Sequence, residues 1–134
     1  MKKYEILEHK ADLKIRAFGK TKEELFENVM IGMFEGARYQ TEGKEIRRKI
    51  KVSSLDLPSL LIDFLSELLY LAEVNREVYQ KAQFKNFSEK ELETTLIGKK
   101  LKRMGVHIKA ATYHNLDIHQ RKDGVWEAKV LFDI

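Results

Sequence analysis

Apolar positions along this chain recur with two spacings, and the places where one gives way to the other mark out its elements. Lys3 to Leu7 reads as a short strand. Asp12 to Phe18 alternates, with Leu13, Ile15 and Ala17 facing one way and Asp12, Lys14 and Arg16 the other; Gly19-Lys20 then turns the chain. Thr21-Lys-Glu-Glu24 is a capping box: the threonine hydroxyl can accept a first-turn amide while Glu24 reaches back to the cap amide. In the helix it opens, Leu25, Val29 and Met33 repeat every four residues beside Phe26, Met30 and Phe34, and Gly36 is the expected stop. Ile46 to Leu55 alternates as a strand. Asp56 and Pro58 open a second helix, in which Leu61, Leu65, Leu68 and Ala72 form a stripe widened by Leu60, Phe64 and Leu71. Asp63, Glu67 and Tyr70 take its opposite edge.

Beyond Val78 two short alternating runs follow, Val78, Ala82, Phe84 and Phe87, then Leu92, Thr94, Leu96 and Gly98, joined by a turn over 86–90. A looser basic segment, Lys99 to Gly105, comes next. Leu116 to His119 and Val125 to Phe132 flank Asp123-Gly124, a type I′ hairpin signal. In the last strand Trp126, Ala128, Val130, Phe132 and Ile134 share one face, and Glu127, Lys129, Leu131 and Asp133 the other. The expected fold is therefore α+β, two-layered, with an antiparallel-rich sheet packed against two main helices in a single domain over 1–134.

Composition narrows the chemistry. With 43% hydrophobic and 34% charged residues in 134, the chain is of globular, not disordered, class. It contains no cysteine, which excludes disulfides, zinc-thiolate sites and a cysteine nucleophile, and makes a reducing cytoplasmic setting the simplest expectation. Met1 to Ile6 has no apolar run of signal-peptide length, and the long apolar segment Leu57 to Ala72 is broken by Asp63 and Glu67, so no membrane association is expected. A net charge of +4 is a mild tilt, short of a dedicated nucleic-acid binder. Nucleophile elbows, phosphate loops and dinucleotide fingerprints are missing from the sequence.

Candidate chemistry gathers instead where the sequence reaches Phe132-Asp133-Ile134. If that strand lies antiparallel to the one opened by Asp12, then Asp12, the Asp133 side chain and the carboxylate of Ile134 converge, a set of oxygens suited to a hard divalent cation. The plainer alternative makes Asp133 an exposed strand end and Asp12 a turn residue. Of the histidines His9, His107, His114 and His119, none is spaced as a helical metal pair. His9, three residues before Asp12, either shares that site or is structural. Lys109, between Ile108 and Ala110, is either aimed at an anion or reaches past its apolar neighbours to solvent.

Four stretches together resemble the archease family: Glu8 to Ile15, Leu25 to Met33, Leu60 to Leu71, and Ile108 to His114 followed by Trp126 to Ile134. The resemblance spans nearly the whole chain; Lys10 departs from it, placing a positive charge where the family carries a small polar residue. It implies a cytoplasmic, non-catalytic activator of an RtcB-type RNA ligase in tRNA splicing. That ligase forms a histidine–nucleotide intermediate with GTP and a divalent metal and joins 2′,3′-cyclic-phosphate or 3′-phosphate ends to a 5′-hydroxyl. The activator promotes nucleotidylation and multiple turnover. The resemblance further implies a divalent-cation site at Asp12, Asp133 and Ile134, with Ca²⁺ favoured over Mg²⁺ or Mn²⁺. Lys109, with His9 nearby, would contact phosphate or partner, and RNA would be touched indirectly or by weak direct contact. The competing expectation is a stand-alone RNA-binding or chaperone-like module using Lys99 to Arg103 and exposed Tyr79, Phe84 and Phe87.

Overall fold

The computed structural model of the chain describes residues 1–8 and 12–134, so His9 and Lys10 lie outside the described residues. Its elements run β1 (Tyr4–Glu8), β2 (Asp12–Gly19), α1 (Lys22–Gly36), β3 (Gln40–Ser53), α2 (Leu57–Val74), β4 (Glu77–Phe87), β5 (Glu91–Arg103), β6 (Ala110–Gln120) and β7 (Trp126–Asp133). The strands form two antiparallel sheets, one of order β1-β2-β7-β6 and one of order β3-β5-β4. The α+β class holds, with the strand content divided between two sheets. Helix α1 packs on β1, β2 and β7 of the first sheet and β4 of the second, and α2 packs on β6 of the first and β3 and β4 of the second. The helices therefore share one core with both sheets.

Local chemistry explains the helix ends. The Glu24 amide donates to Thr21 Oγ1 at 3.1 Å, the cap expected from the sequence. Glu24 Oε1 accepts from the Lys20 amide at 3.0 Å, one residue earlier than the cap amide expected. At the other end Gly36 stays helical, and Arg38 takes the left-handed conformation at φ 56°. The Tyr39 amide donates to Phe34 O and the Arg38 amide to Glu35 O, the paired bonds of a Schellman stop. Glycine serves a different purpose in α1. A Cβ on Gly32 would lie 2.9 Å from both Ile15 and Tyr4 side-chain atoms, and one on Gly36 would lie 3.2 Å from Ile15 Cδ1. These two glycines, one turn apart, let the helix lie close on β1 and β2.

Helix α2 starts at Asp56, whose Oδ1 accepts from the Ser59 amide at 2.8 Å. Leu60, Leu61, Phe64, Leu65 and Leu68 are fully buried, as their stripe requires. Phe26 of α1 packs at a tilt against Phe64 of α2 (centroids 5.7 Å) and meets Phe87 of β4 edge-on (5.0 Å), while Phe84 contacts both Phe64 and Phe87. Among the described residues no helix is long and apolar enough to cross a membrane.

Three local expectations change. Strand β3 begins at Gln40, six residues earlier than the alternation suggests, because a register shift between Glu42 and Ile46 with Gly43 at φ 86° breaks the period of two. Lys99 to Arg103 is the end of β5, paired to both neighbours, not a loose segment. The final hairpin turns through 121–124, with the Gly124 amide on Arg121 O, and Gly124 but not Asp123 at positive φ. That excludes a type I′ turn, which needs positive φ at both central residues.

Candidate functional site

The site is assembled by register. Along β2 and β7, Ile15 faces Val130 and Ala17 faces Ala128, all buried against α1. A shift of one residue would turn these to solvent, so the apolar pairs pin the ladder. The same ladder pairs Asp12 directly with Asp133 at its end. Alternation puts both carboxylates on the face opposite the core, where paired positions stand about 4.5–5.5 Å apart. Asp12 is half-buried, Asp133 is exposed, and half-buried Ile134 is the next residue along.

Strand β6 brings the third element. Ala110 pairs with Asp133 from the other side, and the Lys109 amide donates to Asp133 O at 2.7 Å. The segment before it is tied to the end of α1: the Gly105 amide donates to Arg38 O and the Val106 amide to Ala37 O. Ile108 is buried, and its amide donates to Tyr39 Oη at 3.1 Å. Burial raises the Tyr39 hydroxyl above its usual range, outweighing that amide, so it stays a neutral acceptor. Lys109 thus leaves the fold from a fixed point with an exposed side chain, beside the Asp12–Asp133 pair. His9, grouped with this site from the sequence, lies outside the described residues.

Two carboxylates directly opposed on one face repel each other. A hard divalent cation between them reverses that sign, and the donor set of two carboxylates with the Ile134 main-chain oxygen is all oxygen, which suits Ca²⁺, Mg²⁺ or Mn²⁺. The residues present therefore fit such an ion.

Two further charged clusters escaped the sequence reading. Asp117, His119 and Glu127 bring ligand atoms within 4.8 Å of one another on the β6–β7 pair. His119 Nδ1 lies 3.0 Å from Asp117 Oδ2, and the register sets His119 opposite Glu127. The same register sets Lys129 opposite Asp117, and Arg16 Nε is 3.9 Å from Glu127. With two cations beside it, this cluster has its counter-charge at hand. The i, i+2 spacing of Asp117 and His119 on a strand was the available signal, but only the hairpin register adds Glu127.

The second cluster is buried. Glu77 accepts from Arg48 Nε at 2.7 Å and Nη2 at 2.9 Å, and Tyr79 Oη donates to the same carboxylate. Arg48's hydrogen bonds hold Glu77 below the usual carboxylate range against the opposing effect of burial. Burial, then the bond to Glu77, pushes the Tyr79 hydroxyl up, and Glu77 holds the Arg48 guanidinium firmly charged. Tyr79 is 1% exposed, and Phe84 and Phe87 are partly buried in the phenylalanine cluster. The expected exposed aromatic platform is therefore absent at these three residues, because the face they occupy is the one packed on the helices. Within the basic run, Lys100 Nζ donates to Asn75 O and Arg103 Nη2 to Gln40 Oε1.

Comparison with known proteins gives a consistent picture. Residues 4–134 match the model of the Archease protein family (MTH1598/TM1083). Protein archease of Methanosarcina barkeri is 42% identical over 145 aligned positions, covering 99% of this chain and 97% of the relative. The solution structure of Methanobacterium thermoautotrophicum protein 1598 superposes with a TM-score of 0.67 at 30% identity over the full length of both chains. A crystal structure from Thermotoga maritima, described as an archease and possible chaperone, shares the fold at TM-score 0.70 and 24% identity, covering 96% of this chain and 94% of its own.

Proposed function

We propose, from the premise that this chain belongs to the archease family, that it is a non-catalytic activator of an RtcB-type RNA ligase, promoting ligase guanylylation and turnover in tRNA splicing. The observation that carries this reading is the β2–β7 register, which sets Asp12 against Asp133 with Lys109 fixed beside them. Asp12, Asp133 and the Ile134 main-chain oxygen would hold a divalent cation, Ca²⁺ first, and that ion would supply positive charge for phosphate or acidic groups of the partner. The protein's own part is positioning. The apolar β2–β7 pairs hold the two carboxylates in opposition, and the bond of the Lys109 amide to Asp133 O anchors the Lys109 backbone at the same edge. Lys109 would steady a phosphate or an acidic side chain of the ligase as a compact point charge. The description of the Thermotoga relative as a possible chaperone is of the same kind, since assisting another protein's chemistry needs no nucleophile of its own.

A multiple-turnover RNA-joining assay with the ligase tests this. The Asp12→Ala variant should lose stimulation while its thermal melt stays close to wild type, because Asp12 lies at a ladder end outside the apolar core. Full stimulation by that variant would remove the carboxylate pair from the mechanism.

A further inference from the structure

We infer that the outer face of the three-stranded sheet binds the phosphodiester backbone of a single-stranded nucleic acid. This inference is independent of the ligase reading, because it concerns a different sheet and is tested on the protein alone. Strand β3 alternates sharply: Arg48, Ile50 and Val52 turn inward, and Arg47, Lys49 and Lys51 are exposed on the outside. Register sets Arg47, Ile97 and Lys81 in one row across the sheet, Lys49, Thr95 and Gln83 in the next, and Lys51, Glu93 and Asn86 in the third. Lys85, at the β4 register shift, joins Lys49, Lys51, Glu93 and Thr95 around a cleft of about 270 Å³.

The acidic groups on this face are already engaged. Glu45 lies 3.4 Å from Arg47, Glu91 and Glu93 lie 3.3 and 3.8 Å from Lys51, and Glu93 also accepts from Asn86. Among the described residues, no ion pair engages Lys49, Lys81 or Lys85. With Arg47 and Lys51, these three ammonium groups outnumber the carboxylates of Glu45, Glu91 and Glu93, so the face is net positive. Successive outward residues of β3 stand about 6.7 Å apart, two strand steps, comparable to the step between phosphates along an extended single strand. The ladder thus offers one cation per phosphate, with the cleft between Lys49, Lys51 and Lys85 taking one of them.

The face favours a nucleic acid over an acidic protein. A protein partner needs a buried apolar or aromatic anchor at the centre of the contact. Here the centre is Thr95 and Gln83, and Ile97 is already 6% exposed beneath its long neighbours. Tyr79, Phe84 and Phe87 point to the other side of the sheet, into the core. Binding through phosphates, tolerant of sequence and strongly salt-dependent, is what such a surface supports.

The experiment is fluorescence anisotropy of a labelled oligouridylate of about twelve nucleotides, within the range that one small domain spans. The isolated protein is titrated at rising salt from about 50 mM. The triple variant Lys49→Gln, Lys81→Gln, Lys85→Gln should weaken binding at least tenfold. It should also flatten the log–log salt slope by about two, since each phosphate neutralised on a single strand accounts for about 0.7 of that slope. A control triple removing equal charge elsewhere, Lys2→Gln, Lys20→Gln, Lys122→Gln, should stay within about twofold of wild type, as surface charge removed away from the binding face changes only the weak long-range field. Equal losses in both triples, absence of binding at low salt, or displacement by polyglutamate as effective as by unlabelled RNA would each overturn the inference.

Discussion

Glu77 and the Asp12–Asp133 pair are both strand carboxylates, yet the fold treats them oppositely. Glu77 is 6% exposed and held from two directions: a two-pronged Arg48 on one side and the Tyr79 hydroxyl on the other. Its charge is cancelled inside the molecule, so little is left for a ligand, and the cluster reads as structural. Asp12 and Asp133 are set opposite each other at a ladder end, on the face away from the core. Two carboxylates held in one row by an apolar register offer their oxygens to a shared cation. The contrast teaches that strand register decides which carboxylates share a row and which meet a guanidinium and a hydroxyl.

The largest effect expected from breaking that contrast lies in the buried cluster. Arg48→Met leaves Glu77 with Tyr79 alone in a poorly solvated place. Losing one partner of a buried pair costs about 3–5 kcal/mol, and the 39% exposure of the Arg48 side chain puts the expected loss at the lower end of that range. Urea denaturation with an unchanged slope measures it; a loss below about 0.5 kcal/mol would make this an ordinary surface bridge. The same pair sets an acid limit. Because Glu77 is held below its usual range in the fold, its contribution is present above the unfolded value of about 4.3 and fades as pH falls beneath it. A wild-type titration of stability should decline in that window.

Next in size is the cation itself. Ca²⁺ at about a hundred times its dissociation constant should stabilise wild type by about 2.7 kcal/mol, seen as an upward shift in Tm that chelator reverses. The shift should vanish in Asp12→Ala; an equal shift in that variant would place the ion elsewhere. The smallest effect concerns repulsion. Without metal, Asp133→Asn removes one of two opposed charges, and should raise stability by about 0.2–1 kcal/mol, the range for cross-strand pairs. With Ca²⁺ present the same variant should be less stable than wild type, and that reversal of sign is the sharpest test of the pair.

Much of this could be read along the chain. The Thr21 and Asp56 caps, the α2 stripe from Leu60 to Ala72 and the alternation of β2 and β7 are local features, and a propensity or a period is carried by neighbouring residues alone. Where a bulge interrupts the period, as at Glu42 to Ile46, the alternation failed and β3 was cut short. Tyr79, Phe84 and Phe87 could be ranked as aromatics in strands but not assigned a face, because the register shifts within β4 re-aim its side chains. Gly36 has the residue type of a helix stop, but the approach of Ile15 gives it a packing reason and Arg38 takes the left-handed position.

By itself, then, the amino-acid order determined the helices with their N-terminal caps, the faces of β2 and β7, the absence of thiol chemistry, and Asp12, Asp133 and Lys109 as candidates. The tertiary structure alone decided that residues 121 positions apart in sequence stand as direct partners. It likewise decided that Arg48 serves Glu77, and that β3 and β4 turn their lysines to the same side. The physical reason is that hydrogen-bond register is a property of two strands at once. It is selected by which apolar residues meet under a helix, and no single stretch of sequence contains both halves of that choice.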